Sequence, residues 1–192
     1  LLKKTKVLDK RIQLFRNKQN MGVVKTFSHA ISKSNGDYIF LCDQDDLWQE
    51  NKIEYLISKI GDRSLIYSNA KIIDQEGFEL GYNYSDINSL YGNDSDNISL
   101  FKLLTLHSFI LGSTMMFKNE LKKNIIPVFD THRNHDWWIS YIAIFCNGIK
   151  YTNECLSSYR FHENNLTFKK KSISLNNKDG FNKKIRRNND LE

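Results

Sequence analysis

From Gly22 to Ser34 the apolar residues Val23, Val24, Phe27, Ala30 and Ile31 return every three or four positions, the period of an amphipathic helix, and Ser34 to Asp37 closes it. The unbroken apolar run Tyr38–Cys42 that follows predicts a short buried strand. Four polar residues, Asp43, Gln44, Asp45 and Asp46, come directly after it, and helical spacing resumes over Leu47–Ile60. Upstream, Leu1–Asp9 carries leucines and lysines at helical spacing, and residues 11–17 alternate as a strand does. Downstream, Leu65–Ser68 and Ala70–Ile73 read as strand material ending in a turn over residues 74–77, and Tyr82–Asn97 reads as a polar loop. Residues 100–111 predict a helix, 112–117 a strand, and Asp136–Phe145 a helix with Asp136 near its first turn. Residues 148–162 read as a pair of short strands, or a strand and a turn. Strands interleaved with helices predict an α/β domain, in which the acidic cluster lies at the C-terminal end of a strand, where ligands of open α/β sheets bind.

Composition changes this picture little. A chain of 192 residues, 40% hydrophobic and 26% charged, suits one soluble domain with a single core. No apolar run approaches the roughly 18 residues of a membrane-spanning helix, and no secretory leader is visible, so a cytoplasmic location is the default. Cys42, Cys146 and Cys155 are an odd number at wide spacing and read as reduced core residues.

Charge adds one question. The net charge of +6 would suit a polyanionic partner. Much of it sits after residue 165, in a tail rich in Asn and Lys with clusters at Lys169–Lys171 and at Lys183, Lys184, Arg186 and Arg187. Such a tail reads either as a solvated segment or as a surface that docks peripherally on the anionic inner face of a membrane. Residues 1–165 are therefore taken as the domain and 166–192 as its basic, polar tail. A nucleic-acid-binding domain is disfavoured, because the aromatics follow core-like patterns instead of accompanying the basic residues.

Asp43, Asp45 and Asp46 crowd three carboxylates after a buried strand, where their repulsion is costly unless a cation or hydrogen-bond donors relieve it. A hard divalent cation, Mg²⁺ or Mn²⁺, is the simplest neutraliser, and it would bring a diphosphate with it. Helix capping by Asp is the other reading.

The stretch from Asn20 to Lys52, with its Gly-Asp-Tyr-Ile strand and Asp-x-Asp motif, resembles the centre of family 2 glycosyltransferases with the A-type fold. The blocks Gly112–Phe117, His135–Ser140 and Tyr159–Asn165 resemble its downstream part in the same order, especially in the rhamnosyltransferase-like branch. The similarity covers roughly residues 11–165 and implies a Rossmann-like mixed sheet flanked by helices. The family's first strand and nucleoside-binding turn are missing from it, so the chain is expected to be N-terminally truncated. Phe27 also stands where many members carry an Arg.

The resemblance implies an inverting transferase moving a sugar, rhamnose by that branch, from a nucleotide-diphosphate sugar to a saccharide or lipid-linked saccharide acceptor in surface polysaccharide synthesis. The alternative is a non-catalytic carbohydrate- or nucleotide-binding remnant. Carried over by position, Asp43, Asp45 and Asp46 bind the donor diphosphate, with Asp45 foremost and Asp43 as metal ligands. Asp136 is the general base. His162 reaches the metal or the diphosphate. On chemistry alone, Arg160 suits a diphosphate or a surface ion pair. Trp137 is expected to line the acceptor pocket while Trp138 is buried, and Trp48 is divided between core and donor pocket.

Overall fold

The structure is a computed structural model that describes residues 9–87, 110–127 and 134–161. Its described strands are β1 (Tyr38–Phe40), β2 (Leu47–Trp48), β3 (Leu65–Ile73), β4 (Glu79–Asn83), β5 (Met115–Lys118) and β6 (Ile149–Arg160). They form one mixed sheet in the order β1-β5-β3-β6-β2, with β4 paired to β3. β3 runs parallel to β6, whereas β5 is antiparallel to both β1 and β3. β1, β3 and β6 therefore point the same way and end on one side of the sheet.

The central strand shows why the sheet holds. Leu65 and Ile66 are fully buried on opposite faces, as the two-residue period of a strand requires. Leu65 and Tyr67 join Phe117, Ile139 and Ala143 in one apolar cluster, while Ile66 joins Leu56, Ile60, Met116 and Leu156 in the other. Each such side chain contributes roughly 1.5–3 kcal/mol by leaving water.

Helices α1 (Gly22–Lys33) and α2 (Lys52–Ile60) are followed by the single turns α3 (Tyr84–Ile87) and α4 (Lys122–Ile125) and by α5 (His135–Phe145). The inward stripe of α2 is Lys52, Leu56 and Ile60, spaced by four, and Gly61 ends the helix at φ 58°. α1 supplies Ile31 to the first cluster and lays Phe27 against it.

Several expectations from the pattern are corrected. The two strand segments proposed for residues 65–73 are one strand, because the polar pair that splits them is accommodated in place. Asn69 sits at a register shift against β6, donates to Ser85 Oγ (2.9 Å) and Asn153 Oδ1 (3.1 Å), and accepts from the Ala70 N–H (2.9 Å). Residues 149–160 are likewise one long strand, since β3 pairs with it at both ends, from Ile149 to Thr152 and from Ser157 to Arg160, around the register shifts at Asn69. The helix predicted from Leu47 starts at Lys52 instead, because Leu47 and Trp48 pair with Ser158 and Ser157 of β6.

The strand predicted over 112–117 is a 3₁₀ turn, Gly112–Thr114, followed by β5. The loop predicted from Tyr82 begins as the end of β4 and as α3. Residues 11–17 join no ladder and leave Phe15 49% exposed, since alternation alone supplies no hydrogen-bonding neighbour. The cysteines are free, as expected; Cys42 is exposed, Cys155 is half-buried, and Cys146 is half-buried against the first apolar cluster, so none is a fully buried core residue. The segments predicted at 1–8, 88–97 and 100–109 and the basic tail lie outside the described residues. No described helix is long and apolar enough to cross a membrane.

Candidate active site

Topology gathers the chemistry at one end of the sheet. The acidic residues follow β1, Asp74 follows β3, Arg160 ends β6, and the Gly112–Thr114 turn leads into β5. β1 and β2 lie at opposite ends of the strand order, so residues 41–46 pass across this end. The sheet is curled enough that Phe40 and Trp48 still meet, with ring centroids 5.8 Å apart.

Arg160 fastens the passage. Its Nε donates to the Asp45 carbonyl (2.9 Å), and its Nη1 donates to the carbonyls of Asp74 (3.0 Å) and Gln75 (2.7 Å). Its backbone N–H donates to Asp46 Oδ1 (3.1 Å). The guanidinium proposed for a diphosphate is thus engaged on main-chain carbonyls, where it ties the acidic loop to the β3–β4 turn.

The three carboxylates differ. Burial, reinforced by the charges of Asp46 and Asp45, pushes the Asp43 carboxyl up to about 6. Burial also raises Asp46, against the Ser113 hydroxyl and the Arg160 N–H, which favour its anion. Asp45 presents its carbonyl to Arg160.

Beneath them lies a residue the sequence reading passed over. Lys52 is fully buried. Its Nζ donates to the Ser113 carbonyl and to Ser157 Oγ (2.8 Å), and it sits 4.0 Å from the centroid of the Trp48 ring. Burial lowers its pKa to about 7, against the charges of Cys42 and Asp46. One signal could have found it, for Lys52 stands four residues before Leu56 on the stripe that α2 buries.

Gly112, next to Ser113, faces a different group. A Cβ there would lie 3.2 Å from His135 Nε2, 3.7 Å from Asp136 Cβ and 3.7 Å from Leu41 Cδ1. Such a close approach favours a residue without a side chain. The two adjacent residues therefore border Asp136 on one side and Lys52 on the other. Asp136 opens α5, with Oδ1 accepting the N–H of Trp137 (2.7 Å). Trp137 is buried at 8% exposure and stacked on Tyr141, whereas Trp138 is half-buried and donates from Nε1 to the Ile125 carbonyl (3.0 Å). This reverses the expected burial of the pair, because Trp138 lies about 100° further round the helix, towards α4. His162, the remaining proposed ligand, lies outside the described residues.

His135 was also missed, although it stands four and eight positions before the buried Ile139 and Ala143 of α5. It stacks on Phe27, with centroids 4.0 Å apart, and neither ring nitrogen has a hydrogen-bond partner. Burial lowers its pKa to about 4. The unfolded chain therefore binds a proton more readily, so this residue's contribution to stability is intact above pH ~6.5 and is lost as pH falls towards 4. Asp43 acts oppositely, since its raised pKa makes the cation-free fold gain stability as pH falls from 6 towards 4. We expect His135→Phe to remove a loss of up to about 3 kcal/mol from the acid limb of a Tm-against-pH curve. An unchanged acid limb in a folded variant would contradict that assignment.

Among the described residues, no group of three or more His, Cys, Asp or Glu side chains is assembled to hold a metal ion. A hard cation such as Mg²⁺ or Mn²⁺ takes only one or two carboxylates and completes its shell with water and phosphate. Asp43 suits that demand, because burial and crowding disfavour its ionised form until a cation offsets them, and Asp45 is the neighbouring carboxylate that would share the ion.

The Glycosyl transferase family 2 model matches residues 1–126. An uncharacterized glycosyltransferase of Rickettsia typhi is 30% identical over 159 residues, covering 78% of this chain and 48% of the relative. TuaG of Bacillus subtilis, provisionally assigned as a teichuronic acid biosynthesis glycosyltransferase, is 23% identical over 174 residues, covering 88% and 65%. The chain thus spans about half to two-thirds of the length of these relatives. Among solved structures, residues 1–349 of S. aureus TarS superpose with a TM-score of 0.53 at 14% identity, covering 76% of this chain and 42% of that one. The same TarS fragment in complex with UDP-GlcNAc gives a TM-score of 0.50 at 14% identity, covering 72% and 38%. At that identity the likeness carries the fold alone, which is the A-type glycosyltransferase fold.

Proposed function

Because this chain belongs to glycosyl transferase family 2, we propose that it forms the catalytic part of an inverting glycosyltransferase that moves a sugar from a nucleotide-diphosphate donor to a saccharide acceptor. The observation that carries this reading is the Gly112–Ser113 pair, which borders Asp136 with one residue and accepts the Lys52 ammonium on the carbonyl of the next. An inverting transfer needs such an arrangement. A carboxylate takes the acceptor's proton on one side of the sugar, while positive charge receives the departing diphosphate on the other.

In this reading Asp136 accepts the proton of the attacking hydroxyl. Asp43, Asp45 and Asp46 face the donor, with Asp45 and Asp43 as the ligands of Mn²⁺ or Mg²⁺, which when bound would neutralise the charge developing on the diphosphate. Arg160 keeps the Asp45 main chain in place. His162 keeps the metal or diphosphate role that the resemblance implies, and the buried Trp137 shapes the wall behind the site. Likeness to TuaG supports a cell-surface polysaccharide as the acceptor class, and the TarS complex supports a uridine diphosphate donor; rhamnose remains the proposal from the sequence branch.

Calorimetry on the full chain provides the test. With Mn²⁺ present we expect UDP or another nucleoside diphosphate to bind at least tenfold more tightly than with chelator. Equal binding of every diphosphate in both conditions would remove the metal-assisted reading, and binding of a donor without any turnover would favour the non-catalytic remnant.

A further inference from the structure

A buried lysine must either find acceptors or give up its proton, because an isolated ammonium in an apolar interior is strongly disfavoured. Lys52 finds acceptors from two distant parts of the chain. The Ser113 carbonyl belongs to the turn before β5, and Ser157 belongs to β6. The Trp48 ring covers its remaining side at 4.0 Å. All three partners lie on elements that border the acidic loop.

We propose that Lys52 is a positioning residue that joins the donor half of the site to the Gly112–Ser113 turn beside Asp136, and that its charge sets the balance between cation and diphosphate at the acidic loop. The inference rests on the glycosyl-transfer reading above. Electrostatics gives it a sign that a purely structural role lacks. The positive charge that Lys52 carries when protonated opposes a divalent cation at the acidic loop and attracts a diphosphate. Removing it must therefore move the two affinities in opposite directions. A lysine that merely holds the fold together would, when removed, weaken both or change neither.

The anchors give a second, independent sign. Ser157 Oγ takes one of the three N–H donors of Lys52. Without that hydroxyl the ammonium is freer to lean towards Asp46, where it would compete with the cation more strongly. Ser157→Ala leaves the charge and the bulk of the packing in place, so its effect is readable even if a neutral residue at 52 is not tolerated.

The experiment uses the full chain and two probes measured separately by calorimetry, Mn²⁺ alone and UDP alone with chelator. Lys52→Met and Lys52→Gln are read in whichever gives a cooperative melt. In either we expect Mn²⁺ to bind about tenfold more tightly and UDP about tenfold more weakly. Lys52→Arg should keep both affinities within about twofold, and Ser157→Ala should weaken Mn²⁺ binding about two- to threefold. Affinities that move together in a folded neutral variant overturn the proposal, as does a folded Ser157→Ala protein with unchanged Mn²⁺ affinity. If the parent chain binds neither probe, the glycosyl-transfer reading fails and this inference fails with it. If the parent binds both probes and the variants do not respond, only the role of Lys52 fails.

Discussion

Asp136→Asn is expected to lower turnover by about 10²- to 10⁴-fold while leaving donor affinity within about twofold, the signature of a group whose contribution is made in the transition state. Asn keeps the length of the side chain and an oxygen that can accept the Trp137 N–H, so the first turn of α5 retains its local contact. It has no basic carboxylate with which to take a proton. Initial rates with the full chain, set beside calorimetry of the donor, separate the two effects. A folded Asn variant that turns over at the parent rate would remove Asp136 from the chemistry and leave the carboxylate as no more than a helix-terminal anion.

Arg160→Ala should cost about 3 kcal/mol of stability and loosen the acidic loop. Its guanidinium donates to three carbonyls on two separate segments, and its loss leaves the carbonyls of Asp45, Asp74 and Gln75 without that donor. Partial exposure lets water replace some of these bonds, which holds the cost well below the sum of three charge-assisted ones. Arg160→Lys would not preserve the arrangement, since a single ammonium cannot reproduce the planar fork that serves these oxygens. Chemical denaturation measures the loss. Should Arg160→Ala keep its stability and lose only diphosphate affinity, the direct anion contact expected from chemistry alone would be the better assignment.

The local pattern determined most of the element list, because periodicity is a property of neighbouring residues. Val23 to Ile31 specified a helix, Tyr38 to Cys42 a buried strand, and the acidic residues after it a strand-end cluster. The same locality explains the boundaries that were missed. Leu47 and Trp48 look helical until β6 offers them a ladder, and Ser68 and Asn69 look like a break until Ser85 and Asn153 supply the partners that let a polar pair stay in the central strand.

The chemistry divides along the same line. Crowded carboxylates announce themselves in sequence because their repulsion is costly wherever they fold, so Asp43, Asp45 and Asp46 could be named from the chain alone, whereas Asp136 is named by the family resemblance. The burial of Lys52 could not. Its acceptors lie 61 and 105 residues away, just as the Asp45 carbonyl lies 115 residues from Arg160. A charge enters a core only where the fold brings partners to it, so whether such a residue is solvated, structural or poised beside a ligand is decided by the tertiary structure.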